Sequence, residues 1–505
     1  MNSTSTIDAV RDQRSEHQMP ANSPQELRRA LMVCHDFPPY LSPGTFRALR
    51  FSKYLPEFSW EPIIVTLKRQ SFPSYVPVDP AIEQEIPAAL EIHRTSVWRP
   101  IVQLESQLKN VTDWLLGRSD ETGASGEEQS HQQNAAPEVP GEAGGSSSWK
   151  TQVKDWVELC CATPDSEVGW IMPAVARCLS VIRRRRPQVI YTTGPPHSSH
   201  LIGIALRNLT GLPHVIDMRD PWSRVPWGNT GGPRRHRLLE FWEHRCVRGA
   251  SAVVLNTDAA RSEFAQYYAD LPAQRFSAIT NGIDPSLATR IDALLAESAC
   301  DRPAESVSRS WTLCHPGHIY GHRDIRPLAY AIRLLRAEGL DIRLQQIGQT
   351  IPEQRAELDR ELGADNFIEY LPALPHQEML RCMVQSDILV LLQQGTGVQI
   401  PSKLFEMVLL SKPILAVTEP GVTADIIRQH ALGAVSDGRD VSDLARSMRQ
   451  TLDLAGSATK GNGWTEVRRD YDGRMLTARL AEVFNNVTGV SPESPLSPAR
   501  SGSSN

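Results

Sequence analysis

Lysine is scarce in this chain of 505 residues: it supplies only eight of the 53 basic side chains, and arginine the rest. A basic excess is also missing, since 58 Asp and Glu residues leave a formal net charge of -5. Nucleic-acid binders carry clustered positive charge, so that class of partner is excluded. No run approaches the roughly 18–20 consecutive apolar residues of a membrane-spanning helix. The polar N-terminus, MNSTSTIDAVRDQRSEHQ, has no apolar centre of the kind a signal peptide needs. Cysteine is sparse, eight in all, and no two are spaced as CxxC. Zinc binding and a disulfide framework are therefore not expected, and reduced, buried thiols in a cytoplasmic protein are.

What is present is globular: 40% of residues are hydrophobic and 22% charged, the proportions of a soluble folded chain rather than a disordered one. Three stretches stand apart. Residues 1–26 are polar and aperiodic, residues 119–148 carry six acids and no Lys or Arg, and residues 489–505 are rich in Ser and Pro. Such segments bury too little apolar surface to offset their ordering entropy and read as disordered. The six acids of 119–148 account for the whole negative balance, because the remainder carries a formal +1.

Elsewhere short apolar runs alternate with amphipathic segments. Strand candidates are Ala30–Cys34, Pro62–Thr66, Gln188–Thr192, His214–Asp217 and Ala252–Asn256, then Trp311–His315, Ile342–Ile347, Phe367–Glu369, Asp387–Leu391 and Pro413–Val417. Runs of 4–6 residues separated by helices read as βαβ units in parallel sheets. The series occurs twice, with a polar break at Asp284–Ser310. The expected fold is α/β: two Rossmann-like, doubly wound domains facing across a cleft, one over residues 27–300 with 119–148 inserted, the other over 308–487. Ligands of such sheets bind beyond the carboxyl ends of the strands, so candidate chemistry lies in the loops that follow them.

The loop HDFPPYLSPG, His35–Gly44, runs into a helix, where a glycine lets backbone amides approach an anion. TGPPHSSH places His197 and His200 three apart at a helix start; without a third ligand they do not make a metal site. DMRDPWSRVPW is the densest loop: Asp217, Arg219 and Asp220 form either a substrate-facing charged cluster or a self-contained ion pair that buttresses the loop. HPGHIYGHRDIRP offers Arg323 and Arg326 to an anion. In GTGVQIPSKLFEMVLLSK, Pro401 and Ser402 open a helix whose free N–H groups and Lys403 suit phosphate oxygens. Glu406, one turn on, either accepts ribose hydroxyls or forms an intrahelical pair with Lys403.

Together TNGID at 280–284, the HPGHIYGHR loop, and IPSKLFE at 400–406 followed by SKPILAV resemble the retaining glycosyltransferases of family 4, which have the GT-B fold. The resemblance covers residues 28–118 and 150–487. It implies a nucleotide-sugar donor, most simply UDP-linked, and transfer to an acceptor hydroxyl with net retention and no obligatory metal. It implies that Glu406 binds the donor ribose, and that Lys403, Ser402, Gln399 and the other amides of 398–402 line the donor pocket. Arg323 and Gly44 would lie at the pyrophosphate, and Tyr370–Leu374, ending at Leu374, beside the base. Asp220, Arg219 and His197 become candidates for orienting sugar or acceptor. Two positions depart from the family pattern: the residue eight before Glu406 is Val398 rather than a glutamate, and Arg219 followed by Asp220 stands where many members have a histidine.

Residues 222–248 interleave Trp222, Trp227, Phe241 and Trp242 with Arg224, Arg234, Arg235, Arg237, Arg245 and Arg248. This is the pattern of a segment resting on an anionic membrane, although Glu240, Glu243 and the glycines dilute it toward that of an ordinary solvated helix. The first reading suits a glycan or lipid-linked acceptor used in cell-envelope or exopolysaccharide synthesis at the inner face of the plasma membrane. Alternatives to transfer are a nucleotide-sugar epimerase, for which no acid–base set is evident, and a GT-B-like module that binds a nucleotide sugar or a partner without catalysis.

Overall fold

The computed structural model describes residues 27–72, 78–98, 163–224, 232–300, 310–321, 323–457 and 461–489. Residues 1–26, 119–148 and 490–505 of the segments expected to be disordered lie outside these, as does Trp227.

Thirteen strands are present among the described residues. In the first half they are β1 (Arg28–Cys34), β2 (Trp60–Leu67), β3 (Glu91–Thr95), β4 (Val189–Gly194), β5 (His214–Met218), β6 (Ala252–Leu255) and β7 (Phe276–Ala278). The second half holds β8 (Trp311–Pro316), β9 (Ile342–Ile347), β10 (Ile368–Leu371), β11 (Ile388–Gln393), β12 (Ile414–Thr418) and β13 (Gly433–Ser436). They form a seven-stranded sheet, β3-β2-β1-β4-β5-β6-β7, and a six-stranded sheet, β10-β9-β8-β11-β12-β13. Pairings are parallel throughout both sheets. Helices cover the faces, so the central strands are covered on both sides, and every residue of β4, β5 and β11 is buried.

All ten expected strands are found. The three that composition did not announce are edge or near-edge strands: polar β3 (EIHRT), three-residue β7 and four-residue β13. An edge strand has less apolar surface to bury, so its sequence signal is weak.

Helix Arg326–Ala337 shows why the connecting segments fold as they do. Pro327 sits in its first turn, and Leu328, Ala329, Ala331, Ile332 and Leu335 recur at helical spacing and are buried against the second sheet.

The chain changes bodies twice. After TNGID, helix Pro285–Cys300 places Leu287 and Ile291 in the core of the second sheet. The last helix, Gly473–Thr488, sends Leu476, Leu480 and Phe484 into the core of the first, against Trp60 and Tyr191. Residues 285–300 therefore pack with the unit expected over 308–487, and 473–487 with the unit expected over 27–300. Amphipathic spacing announces a buried face but not which core receives it. The two crossings touch: Ile283 N donates to Tyr471 O at 2.9 Å. A side chain on Gly282 would stand 2.6 Å from that same carbonyl, so the close passage needs glycine there.

Strand order reverses between β1 and β4 in the first sheet and between β8 and β11 in the second. Crevices at such switch points are where open parallel sheets take ligands.

Candidate functional site

At the first switch point the loop after β1 leads to helix Pro43–Tyr54, capped by Ser42 Oγ accepting from Thr45 N. Gly44, in the first turn of that helix, has no room for a side chain: a Cβ would lie 1.6 Å from Arg219 Nη1. The Arg219 guanidinium fills this space, paired with Asp36 at 3.2 Å and donating to the carbonyls of Gly194 and Pro195. Asp36 also accepts from Ser42 Oγ and from the ring of His35. Burial disfavours the Asp36 carboxylate, but His35 and Arg219 outweigh it and hold its pKa down at about 2. Burial likewise works against a charged His35, yet Asp36 and Glu167 raise it to about 9.

The expected cluster of Asp217, Arg219 and Asp220 does not form as a unit, and neither does a pair within the loop. Each side chain points to a different partner. Asp217 is fully buried and takes Arg47 through two hydrogen bonds of 2.7 Å, with Tyr191 and Thr193 donating to the same carboxylate. Arg47 continues to the carbonyls of Ile279 and Thr280, and Arg50 to Gly282. TNGID is thus clasped by the helix that follows β1.

His197 stacks on Trp222, centroids 4.7 Å apart and planes 6° from parallel. Burial, with the nearby Arg219 charge, lowers its pKa to about 3. It is a neutral imidazole, able to hydrogen-bond a sugar hydroxyl but a weak base. Trp222 is 3% exposed, so it belongs to this packing and cannot be part of a membrane-facing surface.

At the second switch point β11 runs through Gly395–Pro401 into helix Ser402–Leu410. The helix has no side-chain cap, which leaves its first N–H groups for a ligand. Lys403 Nζ donates to the Pro316 carbonyl at the end of β8. Burial and the Arg323 charge lower its pKa to about 8 against the pull of Glu406. Gly317 makes the approach feasible, since a Cβ there would meet Nζ at 2.5 Å. Arg323 donates to His318 O at 3.3 Å and lies over the Tyr320 ring. Leu374 packs against the second core beside helix His376–Gln385.

Glu406 pairs not with Lys403 but with His376, Oε1 to Nε2 at 3.4 Å. Burial favours its protonated form, but His376 and Lys403 prevail and keep its pKa low. Its other oxygen, Oε2, is buried and has no hydrogen-bond partner. A buried acceptor left open beside an ammonium and a helix N-terminus is an arrangement for a ligand carrying both hydroxyls and anionic oxygens.

Several contacts join the bodies, three of them between the two candidate sites. Gln399 Nε2 donates to Asp220 Oδ1 at 2.7 Å, Thr257 Oγ1 donates to the Val398 carbonyl at 2.6 Å, and Phe46 lies 5.5 Å from the His376 ring. Asp220, Arg219, Gln399 and Val398 line one pocket with Arg224 and Glu263. Burial raises the Asp220 pKa. The structure therefore groups Lys403, Ser402 and Glu406 at one place and Gly44, Arg219 and His197 at another, with Asp220 and Gln399 spanning the two. The sequence did not single out Asp36, Phe46 or His376. Asp36 stands in the first loop beside His35, which was the available signal, whereas a lone His after Pro375 carries none.

Comparison with known proteins agrees with this architecture. Residues 140–282 match the glycosyl transferase 4-like domain. A D-inositol 3-phosphate glycosyltransferase of Pseudarthrobacter chlorophenolicus is 25% identical over 330 residues, spanning 63% of this chain and 76% of that protein. Anabaena HepE in complex with UDP-glucose superposes with a TM-score of 0.55 at 14% identity, over 91% of this chain and all of its own. WaaG, a glycosyltransferase involved in lipopolysaccharide biosynthesis, gives a TM-score of 0.52 at 14% identity, over 90% and 99% of the two chains. The structural likenesses establish the GT-B fold.

Proposed function

From the premise that the chain is a family 4-like glycosyltransferase of GT-B fold, we propose that it moves a hexosyl unit from a UDP-sugar to an acceptor hydroxyl with retention of configuration. The observation that carries the donor assignment is the open, buried Oε2 of Glu406 beside Lys403 and an uncapped helix start. Glu406 takes a ribose hydroxyl. Lys403, Arg323 and the amides of 398–402 meet the diphosphate, and Leu374 borders the base.

The chemical step is displacement at the sugar's anomeric carbon. The bond to the diphosphate oxygen breaks, the acceptor oxygen attacks from the same face, and its proton passes to the departing phosphate. Charge develops on that diphosphate, so donors fixed before the reaction stabilise the transition state more than the ground state. Arg219, Asp220 and neutral His197 orient sugar or acceptor by hydrogen bonding. With the leaving charge met by Lys403, Arg323 and the helix N-terminus, the step is written without a metal.

For the acceptor, the exposed face of helix Gly232–Gly249 supports a lipid-linked glycan in envelope or exopolysaccharide synthesis. Arg234, Arg237, Phe241, Arg245 and Arg248 are exposed and fall along one stripe, with Phe241 55% exposed at its centre. Such a stripe fits peripheral contact with an anionic membrane at its cytoplasmic face. Among the described residues no helix is long and apolar enough to cross a membrane.

The test is a thermal-shift screen of nucleoside diphosphates and nucleotide sugars, followed by transfer and hydrolysis assays. UDP stabilises the wild-type protein, and Glu406→Ala weakens UDP binding by about tenfold, the loss expected for hydrogen bonds to a charged group. If no nucleoside diphosphate raises the melting temperature, the donor assignment falls. Val398 favours one competing reading, a binding module without catalysis. That protein would bind a UDP-sugar yet neither transfer nor hydrolyse it.

A further inference from the structure

Nothing in the donor-pocket reading requires His376 or Phe46, yet His376 sits against its key carboxylate and Phe46 against the His376 ring. His376 opens helix His376–Gln385, and its Nε2 has no hydrogen-bond partner; the Glu406 carboxylate oxygen at 3.4 Å is its ion-pair neighbour. That contact engages Oε1 and leaves the buried Oε2 without a hydrogen-bond partner. The His376 ring is itself packed against Phe46, tilted by 44°. Phe46 belongs to helix Pro43–Tyr54 of the opposite body. One chain of contacts therefore runs from the first body, through Phe46 and His376, to the Glu406 carboxylate in the second.

We propose that His376 is a positioning residue for the ribose diol, and that Phe46 makes diol recognition depend on the approach of the two bodies. His376 restrains Glu406 from the Oε1 side, so that Oε2 faces the ligand in one orientation. A carboxylate without this restraint rotates, and the free energy of its hydrogen bonds to the diol falls by the cost of ordering it. Phe46 holds the imidazole in place, and it does so only while the bodies stand as they do here. The pocket then distinguishes a nucleotide with an intact diol from one without it, and the discrimination is completed by a residue that does not touch the nucleotide.

This inference rests on the assignment of Glu406 to the ribose, and the experiment separates the two. Binding of UDP, 2′,3′-dideoxy-UDP and inorganic pyrophosphate is measured by calorimetry for wild type, His376→Ala, His376→Gln, Phe46→Ala and Glu406→Ala, each variant first checked for a wild-type melting temperature. The wild-type protein prefers UDP to the dideoxy analogue by about tenfold, as for hydrogen bonds to a charged acceptor. In His376→Ala and Phe46→Ala the preference falls to within about threefold, less than half of it on the free-energy scale. Pyrophosphate affinity is unchanged in both. His376→Gln, which keeps an N–H donor toward Oε1, retains the preference. Variants that keep the full preference, or that lose pyrophosphate in parallel with UDP, overturn the positioning role while the ribose assignment stands. A wild-type protein without ribose preference, or a Glu406→Ala variant that retains it, overturns the assignment itself and the inference with it.

Discussion

Two sets of buried charged side chains, one in each body, are handled in opposite ways. In the first body Asp217 and Arg47, at 0% and 1% side-chain exposure, satisfy each other through two short bonds, and neighbouring hydroxyls and carbonyls take up the rest. In the second body Lys403 reaches a single backbone carbonyl, and Glu406 keeps an oxygen that nothing in the protein meets. Desolvating a charge is costly unless partners replace the lost water. A complete set of partners marks a group that holds the fold together. An incomplete set beside a cleft and an uncapped helix start suits a group whose last partner comes from outside. The first body's pair fixes the TNGID crossing, while the second body's groups keep unfilled hydrogen-bonding capacity, which our proposal gives to a diphosphate and a diol.

The contrast breaks most visibly at Arg47. Arg47→Met strands the Asp217 carboxylate in the core and is expected to lower unfolding free energy by about 3–5 kcal/mol, read by chemical denaturation. Loss of less than about 1 kcal/mol would remove the distinction, being the range of exposed pairs. The next effect lies at His35, whose folded pKa of about 9 exceeds its ordinary value of about 6.5 because Asp36 and Glu167 favour its charged form despite burial. A raised pKa gives stability that is fully present below pH 6.5 and lost as pH rises through 9. Stability curves for wild type and His35→Gln, taken from pH 6 to 10, should therefore converge over that window by roughly 1–3 kcal/mol. Parallel curves would show that His35 is not charged in the fold. Smallest in stability is Lys403→Met, which replaces a buried ammonium by an apolar chain of similar length and should move unfolding free energy by no more than about 1 kcal/mol. Its diphosphate binding should nevertheless fall by about tenfold. Large destabilisation with binding unchanged would place Lys403 among the structural charges.

Central strands were legible because burial on both faces writes itself as an apolar run, as in ILVLLQ of β11. Polar β3 was not, since its stability comes from backbone pairing with β2 at the sheet edge. Lys403 and Glu406 were singled out by their loop-to-helix setting. Their partners were not, because His376 and the Pro316 carbonyl come from elements distant in the chain. Arg219 shows the same limit most sharply. Its sequence neighbours Asp217 and Asp220 suggested a local cluster, but its acid is Asp36, 183 residues away. Nor did the spacing of 285–300 or 473–488 say which core would receive each helix.

That exchange of helices has a consequence for how the protein can be divided. A fragment ending at residue 300 would carry Leu287 and Ile291 with no core to enter, and would lack the helix that covers Trp60 and Tyr191. A fragment from 308 onward would bear the opposite defects. Neither body is a module separable by one cut in the chain. Removing helix Gly473–Thr488 would open a body built from the other half of the sequence, so the integrity of the half made first depends on residues translated much later.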